Sequence, residues 1–237
     1  MSAVARFYLR PVRRTLTARN RSAPATWRVR LGPVEVGERQ VVLRSPQLSD
    51  GTDWCAIRLA ERERIEPWWV SSPLSWEQRH TEAAWVSSWL GARRAARGGR
   101  ALPLVVEVDG RLAGQCGLEW IDPFTGSGEL GIWMDSRIGR GGFGVIATAL
   151  VLDHAFGVLG MNRITAPICV GNAAPRNGCR RLGMVCEGTM ASFLHVGGRR
   201  RDHDLWAITA DRIPPGGLVR QLAERRVIDI RLDGRQG

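Results

Sequence analysis

Four glycines fall within six residues, Gly139, Gly141, Gly142 and Gly144, between a strand-like run and an apolar run of helical period. Without Cβ atoms such a loop lets the backbone come close to a ligand, and its N–H groups gather at the positive end of the following helix. It is a cradle for a phosphate or pyrophosphate, or else a tight strand-to-helix turn. A Walker A loop is excluded, because that motif needs Gly-Lys-Ser/Thr and the chain contains no lysine. The G-x-G-x-x-G spacing of a dinucleotide fold is met, but that loop belongs after the first strand of a parallel βαβ unit. Here an antiparallel meander precedes it, and the context argues against that reading.

Periodicity sets out the elements around the loop. Residues 40–44 read as a strand, and Asp50 caps a helix running to about Glu66. Ser75 and Gln78 have capping-box spacing ahead of a second helix, striped by Ala83, Val86 and Leu90. Residues 102–108 and 111–120 form a hairpin across Asp109-Gly110, and residues 128–134 form a further strand. Val145, Ala149, Leu152, Phe156 and Leu159 make a helical seam after the glycine loop. A strand at 163–169, a helix from Asn172 to Gly183, and two strands around Gly197-Gly198 complete a mixed α/β architecture on one sheet.

A 44% hydrophobic content over 237 residues excludes wholesale disorder. No run approaches the 18 or so apolar residues of a membrane span, and arginines interrupt the start where a secretory signal needs an apolar core. A cytoplasmic location is therefore expected, without membrane contact. Five cysteines, with no C-x-x-C pair, read as reduced thiols and not as a disulfide frame or zinc site. The net charge of +11 is uneven: up to Val34 there are eight arginines and no acid, whereas the remainder is nearly balanced. Residues 1–36 are accordingly read as a basic arm, suited to RNA or another anionic surface or simply solvated. Residues 37–212 are read as the globular domain and 213–237, beyond Pro214-Pro215-Gly216-Gly217, as a charged tail.

The strand Gly128-Glu129-Leu130-Gly131-Ile132-Trp133-Met134, the glycine loop, Gly171-Asn172-Ala173-Ala174-Pro175-Arg176 and Arg180-Arg181-Leu182-Gly183-Met184 come in an order that resembles GNAT-fold N-acetyltransferases. With Val41 to Pro46, Gly114 to Leu118 and Arg201 to Trp206, the likeness is to the RimJ/RimL branch, which acetylates ribosomal proteins. It implies a mixed, mostly antiparallel sheet flanked by helices. It also implies acetyl-CoA as co-substrate, no metal, and a protein or peptide N-terminus as acceptor. The cofactor would meet Ile132, Trp133 and Met134 on the strand, then Gly139, Arg140, Gly141, Gly142, Phe143 and Gly144, and finally Asn172 and Arg176. Gly139 stands where the family's pattern has Gln or Arg, a role that Arg140 can take over. Asn172 is equally explained as a helix cap.

Acetyl transfer needs a neutral amine, and Glu129 is the candidate base, with Glu119, Glu187 and His195 in reserve. The family's usual acids for the leaving thiolate are missing: Pro175 replaces Ser, and the only tyrosine is Tyr8. Either water, Cys179, Ser192 or the acceptor then supplies that proton, or turnover is slow. Ten tryptophans include Trp68-Trp69, read as an acceptor-side contact, the others as core. The competing readings are acetylation of an aminoglycoside or polyamine, and a non-catalytic acyl-CoA-binding or ribosome-associated module. The chain is expected to act as a monomer or homodimer.

Overall fold

The computed structural model describes residues 26–138 and 141–231. Valine- and leucine-rich runs joined by tight turns give β1 (Arg30–Val36), β2 (Arg39–Arg44), β3 (Val105–Val108), β4 (Arg111–Asp122) and β5 (Ser127–Met134). Asp109 and Gly110 both take positive φ, 52° and 74°, the primed-turn geometry that matches strand twist. Between β2 and β3 lie α1 (Gly51–Ala60), the single turns α2 (Arg62–Ile65) and α3 (Trp76–Arg79), and α4 (Glu82–Arg97). After β5 come α5 (Phe143–Gly157), β6 (Arg163–Cys169), α6 (Ala173–Arg181), β7 (Val185–Val196), β8 (Arg199–Thr209), α7 (Gly217–Glu224) and β9 (Ile230–Arg231). The strands form one sheet in the order β7-β8-β6-β5-β4-β3-β2-β1-β9. Only β5 and β6 run parallel, so the mixed, mostly antiparallel sheet expected from the sequence is present.

The sheet has two differently packed faces. On one, α5 lies against Val41, Val106, Cys116 and Leu118 and is in turn covered by α7, which is why α5 is apolar nearly all round. On the other, Trp54, Ile57, Trp76 and Trp85 close over Val105, Leu112 and Trp133. No helix among the described residues is long and apolar enough to cross a membrane.

Four expectations are corrected. The proposed arm and tail boundaries both cut into the sheet. Arg30–Val36, assigned to the arm, pairs antiparallel with β2, and Thr26 is buried with its hydroxyl donating to Ala96 O at 2.6 Å. Six of the eight early arginines lie outside the described residues, so the basic reading of residues 1–25 stands on sequence alone. Beyond residue 213, Leu218, Val219 and Leu222 are buried, and the Asp153 carboxylate accepts from the N–H groups of Leu218 (2.6 Å) and Val219 (3.1 Å). The Pro-Pro-Gly-Gly stretch is thus a turn into α7 rather than a linker.

The other two corrections concern helices. The helix expected over 50–66 breaks at Glu61, where φ −90° and ψ 12° leave the helical region. In α4 the expected stripe points outward, with Val86 42% and Leu90 54% exposed. Trp85 and Trp89 take the inward face instead, their indoles donating to Leu48 O (3.1 Å) and Pro46 O (2.9 Å). Two large rings bury more apolar area than Val and Leu can, and these also satisfy their N–H groups.

Candidate active site

β5 and β6 pair over only three rungs, Ser127 with Arg163, Gly128 with Ile164 and Glu129 with Thr165. β6 stays paired with β8 along its whole length on its other edge, but beyond Thr165 it no longer pairs with β5, which runs on alone on that side to Met134. The peptide groups of residues 130–134 that face β6 are left without a strand partner. A backbone edge of that kind, inside the sheet, is suited to an extended ligand bearing amides.

The N-terminus of α5 stands over the same stretch. Its cap is Gly142, at φ +82°, a conformation that favours glycine, and a Cβ there would come 2.8 Å from Ile228 Cδ1. A Cβ on Gly144 would touch Met134 Cγ at 3.5 Å and Ile132 Cδ1 at 3.6 Å, so the first turn of the helix rests on the unpaired part of β5. Free N–H groups and the helix dipole meet the open strand edge here, and together they fit a phosphorylated, amide-containing cofactor.

Of the residues singled out in the sequence, Ile132, Met134, Gly142 and Gly144 converge on this point. Gly141 and Phe143 belong to the same turn, but the Phe143 ring is buried in the core under Arg39. Trp133 contributes only backbone, because its side chain faces the opposite side and donates to Gln115 Oε1 at 2.9 Å. Gly139 and Arg140 lie outside the described residues. Asn172 occupies the N-cap position of α6 without a side-chain capping bond, so capping does not use its amide. Arg176 pairs with Asp204 at 3.2 Å while its Nε is buried without a partner.

Glu129 sits on the last paired rung before the strands part, half-buried on the Trp133 face. Burial raises its pKa and the Glu119 carboxylate raises it further, against a hydrogen bond from Trp120. Glu119 is the extra residue of a bulge in β4, placed opposite β5. Its outer edge is open, yet its carboxyl is recessed over Gly131, where a Cβ would lie 2.4 Å from Oε1, and burial there raises its pKa. Two adjacent carboxyls with raised pKa values form a poised proton acceptor.

The other reserves do not join this pair. Glu187 is tied to Arg163, and His195 is exposed on β7. Burial pushes the Cys179 thiol up to about 12, which makes it a poor proton donor at neutral pH. Ser192 lies in the irregular part of β7 at φ 49°, its N–H donating to Asp202.

A second cluster on the Glu129 face was not anticipated. Arg58 of α1, 1% exposed, lies between the rings of Trp69 (4.0 Å), Trp76 (4.7 Å) and Trp133 (5.0 Å). The sequence signal was an arginine four residues after Trp54, on the apolar stripe of its helix. Trp68 of the expected acceptor contact lies instead under Arg201 of β8.

Comparison with known proteins agrees with this geometry. The acetyltransferase (GNAT) domain family matches residues 40–185. A structure of Mycobacterium smegmatis RimJ in complex with CoA-disulfide is 33% identical, with TM-score 0.82 over 86% of this chain and 97% of that one. Ribosomal-protein-S5-alanine acetyltransferase from Vibrio fischeri is 22% identical, with TM-score 0.66 over 73% of this chain and 94% of that one. An acetyltransferase from Salmonella typhimurium that modifies the N-terminal serine of ribosomal protein L7/L12 is 17% identical, with TM-score 0.65 over 76% and 99%. These last two show the shared fold alone. Curated proteins gave no match. With the open β5 edge, the glycine-capped helix and the family match over residues 40–185, the chain belongs to the GNAT family of acetyl-CoA-dependent N-acetyltransferases.

Proposed function

We propose that the chain acetylates the N-terminal α-amine of a protein, a ribosomal protein in particular, in the cytoplasm. The observation that carries this reading is the position of Glu129, at the point where β5 and β6 diverge, between the open cofactor edge and the Trp-lined face. The 33% identity to RimJ supports the choice of acceptor class.

Acetyl-CoA supplies an activated acyl group, and the chain's own residues do the rest. Backbone N–H groups of residues 130–134 and of the α5 N-terminus hold and orient the donor. Glu129, directly or through one water, takes a proton from the ammonium so that the nitrogen lone pair can attack the thioester carbon. An N–H of the unpaired β5 edge faces the developing oxyanion. The carbon–sulfur bond then breaks, and the thiolate, a good leaving group, takes a proton from water or from the attacking nitrogen.

A cationic drug or polyamine fits poorly. The shallow, open surface beside the Trp68 loop is lined by Val170, Arg199, Arg200, Arg201 and Asp202, which makes that side of the domain mostly basic. Mass spectrometry on peptides with a free terminus, Nα-blocked peptides, spermidine and an aminoglycoside tests the acceptor. One acetyl group on the free α-amine is expected. Modification confined to the small amines would overturn the reading.

We also propose that the arginines of residues 1–25 contact ribosomal RNA. Deleting them should weaken co-sedimentation with ribosomes, most at low salt. Unchanged co-sedimentation at every salt concentration would refute the contact.

A further inference from the structure

Arg58 is a buried cation without an anion. Its Nε donates to His80 Nε2 at 3.0 Å, and its Nη1 is buried with no hydrogen-bond partner. His80 does not offset the charge. It accepts at Nε2, so its Nδ1 carries the proton and donates to Trp76 O at 2.6 Å. Burial, helped by the neighbouring arginines, holds its pKa down to about 4, and the ring is neutral at pH 7.

The neighbouring acids are already engaged. Arg62 holds Glu66 at 2.7 Å and Glu77 at 2.5 Å, and Arg79 lies 3.7 Å from Glu66. Three guanidiniums thus face two carboxylates, and Arg58 is the one that touches neither. Three indole faces offset part of its desolvation, but ring faces provide no in-plane acceptor for the remaining N–H groups. A buried charge left this way is strongly unfavourable unless something completes it.

We propose that Arg58 receives a carboxylate of the acceptor, and that the Trp69 ring is the lid over this subsite. The proposal rests on the acetyltransferase reading above and deepens it to acceptor selection. Trp69 is the outermost wall, 36% exposed, at 4.0 Å from the guanidinium carbon. Its backbone is pinned to the β7–β8 hairpin: Ser71 N–H donates to His195 O at 2.9 Å and Gly197 N–H to Trp69 O at 3.4 Å. With the loop anchored, the Trp69 ring is the wall of the guanidinium site that can turn without moving its backbone.

The inner wall, Trp133, shares a sheet face with Glu129 four residues away, about 13 Å along the strand. An extended peptide covers that distance in about four residues. An acceptor whose α-amine lies at Glu129 would therefore bring a side chain at about its fourth position to Arg58. The basic surface of Arg199 to Arg201 lies beside Trp68, the neighbour of the lid, and favours the approach of an acid.

The carboxylate has two possible sources, an acidic side chain or the free C-terminus of a short acceptor. C-terminally amidated hexapeptides carrying one Glu at positions 2 to 6, their Gln counterparts, and a tetrapeptide with a free C-terminus distinguish the two. Binding to the CoA-loaded chain is read by calorimetry and by tryptophan fluorescence. The Glu peptide is expected to bind about 30-fold tighter than its Gln counterpart, with an optimum near position 4. Arg58→Met should bring that ratio to about one. Tight binding of the free tetrapeptide alone would still assign a carboxylate to Arg58, with the C-terminus as its source.

Equal binding of the Glu and Gln peptides with no tighter binding of the free tetrapeptide, or a Glu preference independent of position, would overturn the subsite. That comparison uses the wild-type chain and stands even where the variant does not fold. Binding is measured apart from transfer. Peptides that bind with the Glu preference but are not acetylated would sink the transferase reading and leave the subsite. Peptides acetylated without any Glu preference would do the reverse.

Discussion

Glu129→Gln should lower kcat/KM for acetyl transfer at pH 7 by about 10²- to 10³-fold while leaving the Kd for acetyl-CoA within about twofold. The substitution keeps the shape of the side chain and removes its ability to take a proton. It also removes the carboxyl whose ionisation the neighbouring Glu119 opposes. The pH dependence carries the sign. A base works only when deprotonated, so wild-type kcat/KM should fall as pH drops through the Glu129 pKa. Burial and Glu119 place that pKa above the usual carboxylate range. Glu119→Gln removes the repulsion and should move this acidic limb to lower pH without abolishing turnover. A limb that persists unchanged in Glu129→Gln would assign the base elsewhere.

Gly144→Asp should weaken CoA binding about 100-fold, equivalent to about 2.7 kcal/mol, with no loss of thermal stability. The first turn of α5 tolerates a side chain at this position, since a Cβ meets only ordinary contacts with Met134 and Ile132. A carboxylate near a helix N-terminus favours the helix itself by roughly 0.3–1 kcal/mol. The same charge opposes a pyrophosphate bound at that terminus. Folding and ligand binding are thereby moved in opposite directions, which separates a phosphate cradle from a merely tight turn. Gly142 is a poorer probe, because any side chain there is strained at φ +82° and meets Ile228. Calorimetry with CoA gives the outcome, and equal affinity in Gly144→Asp would refute the cradle.

The parts of this site that were legible in the sequence are those fixed by local chemistry. The glycines Gly141, Gly142 and Gly144 ahead of α5, Glu129 on its strand, and the Asp109-Gly110 turn depend on neighbours a few residues away, and the structure has each in its expected element. What stayed hidden depends on long-range competition. The stripe of α4 was read from spacing, yet Trp85 and Trp89 won the inward face because their indoles also reach the carbonyls of residues 46–48. The strand Arg30–Val36 was obscured by two flanking arginines and by Pro33, and it exists because β2 and β9 lie on either side of it. Helix α7 follows a Pro-Pro-Gly-Gly stretch that looks like a linker, and only Asp153, more than sixty residues earlier, caps it. Arg58 was not singled out in the sequence, because its setting is made by Trp69, Trp76 and Trp133, which other elements bring around it.

The divergence of β5 from β6 is the feature from which both the donor site and the place of Glu129 follow, and it had no sequence signal of its own. A crystal structure of the chain with CoA tests it most directly. The pantetheine arm is expected to hydrogen-bond along the unpaired edge of residues 130–134, with the pyrophosphate at the N–H groups of Gly142 to Gly144 and the sulfur close to the Glu129 rung. CoA bound instead on the arginine-lined surface of Arg199 to Arg201, with the β5 edge left empty, would contradict it.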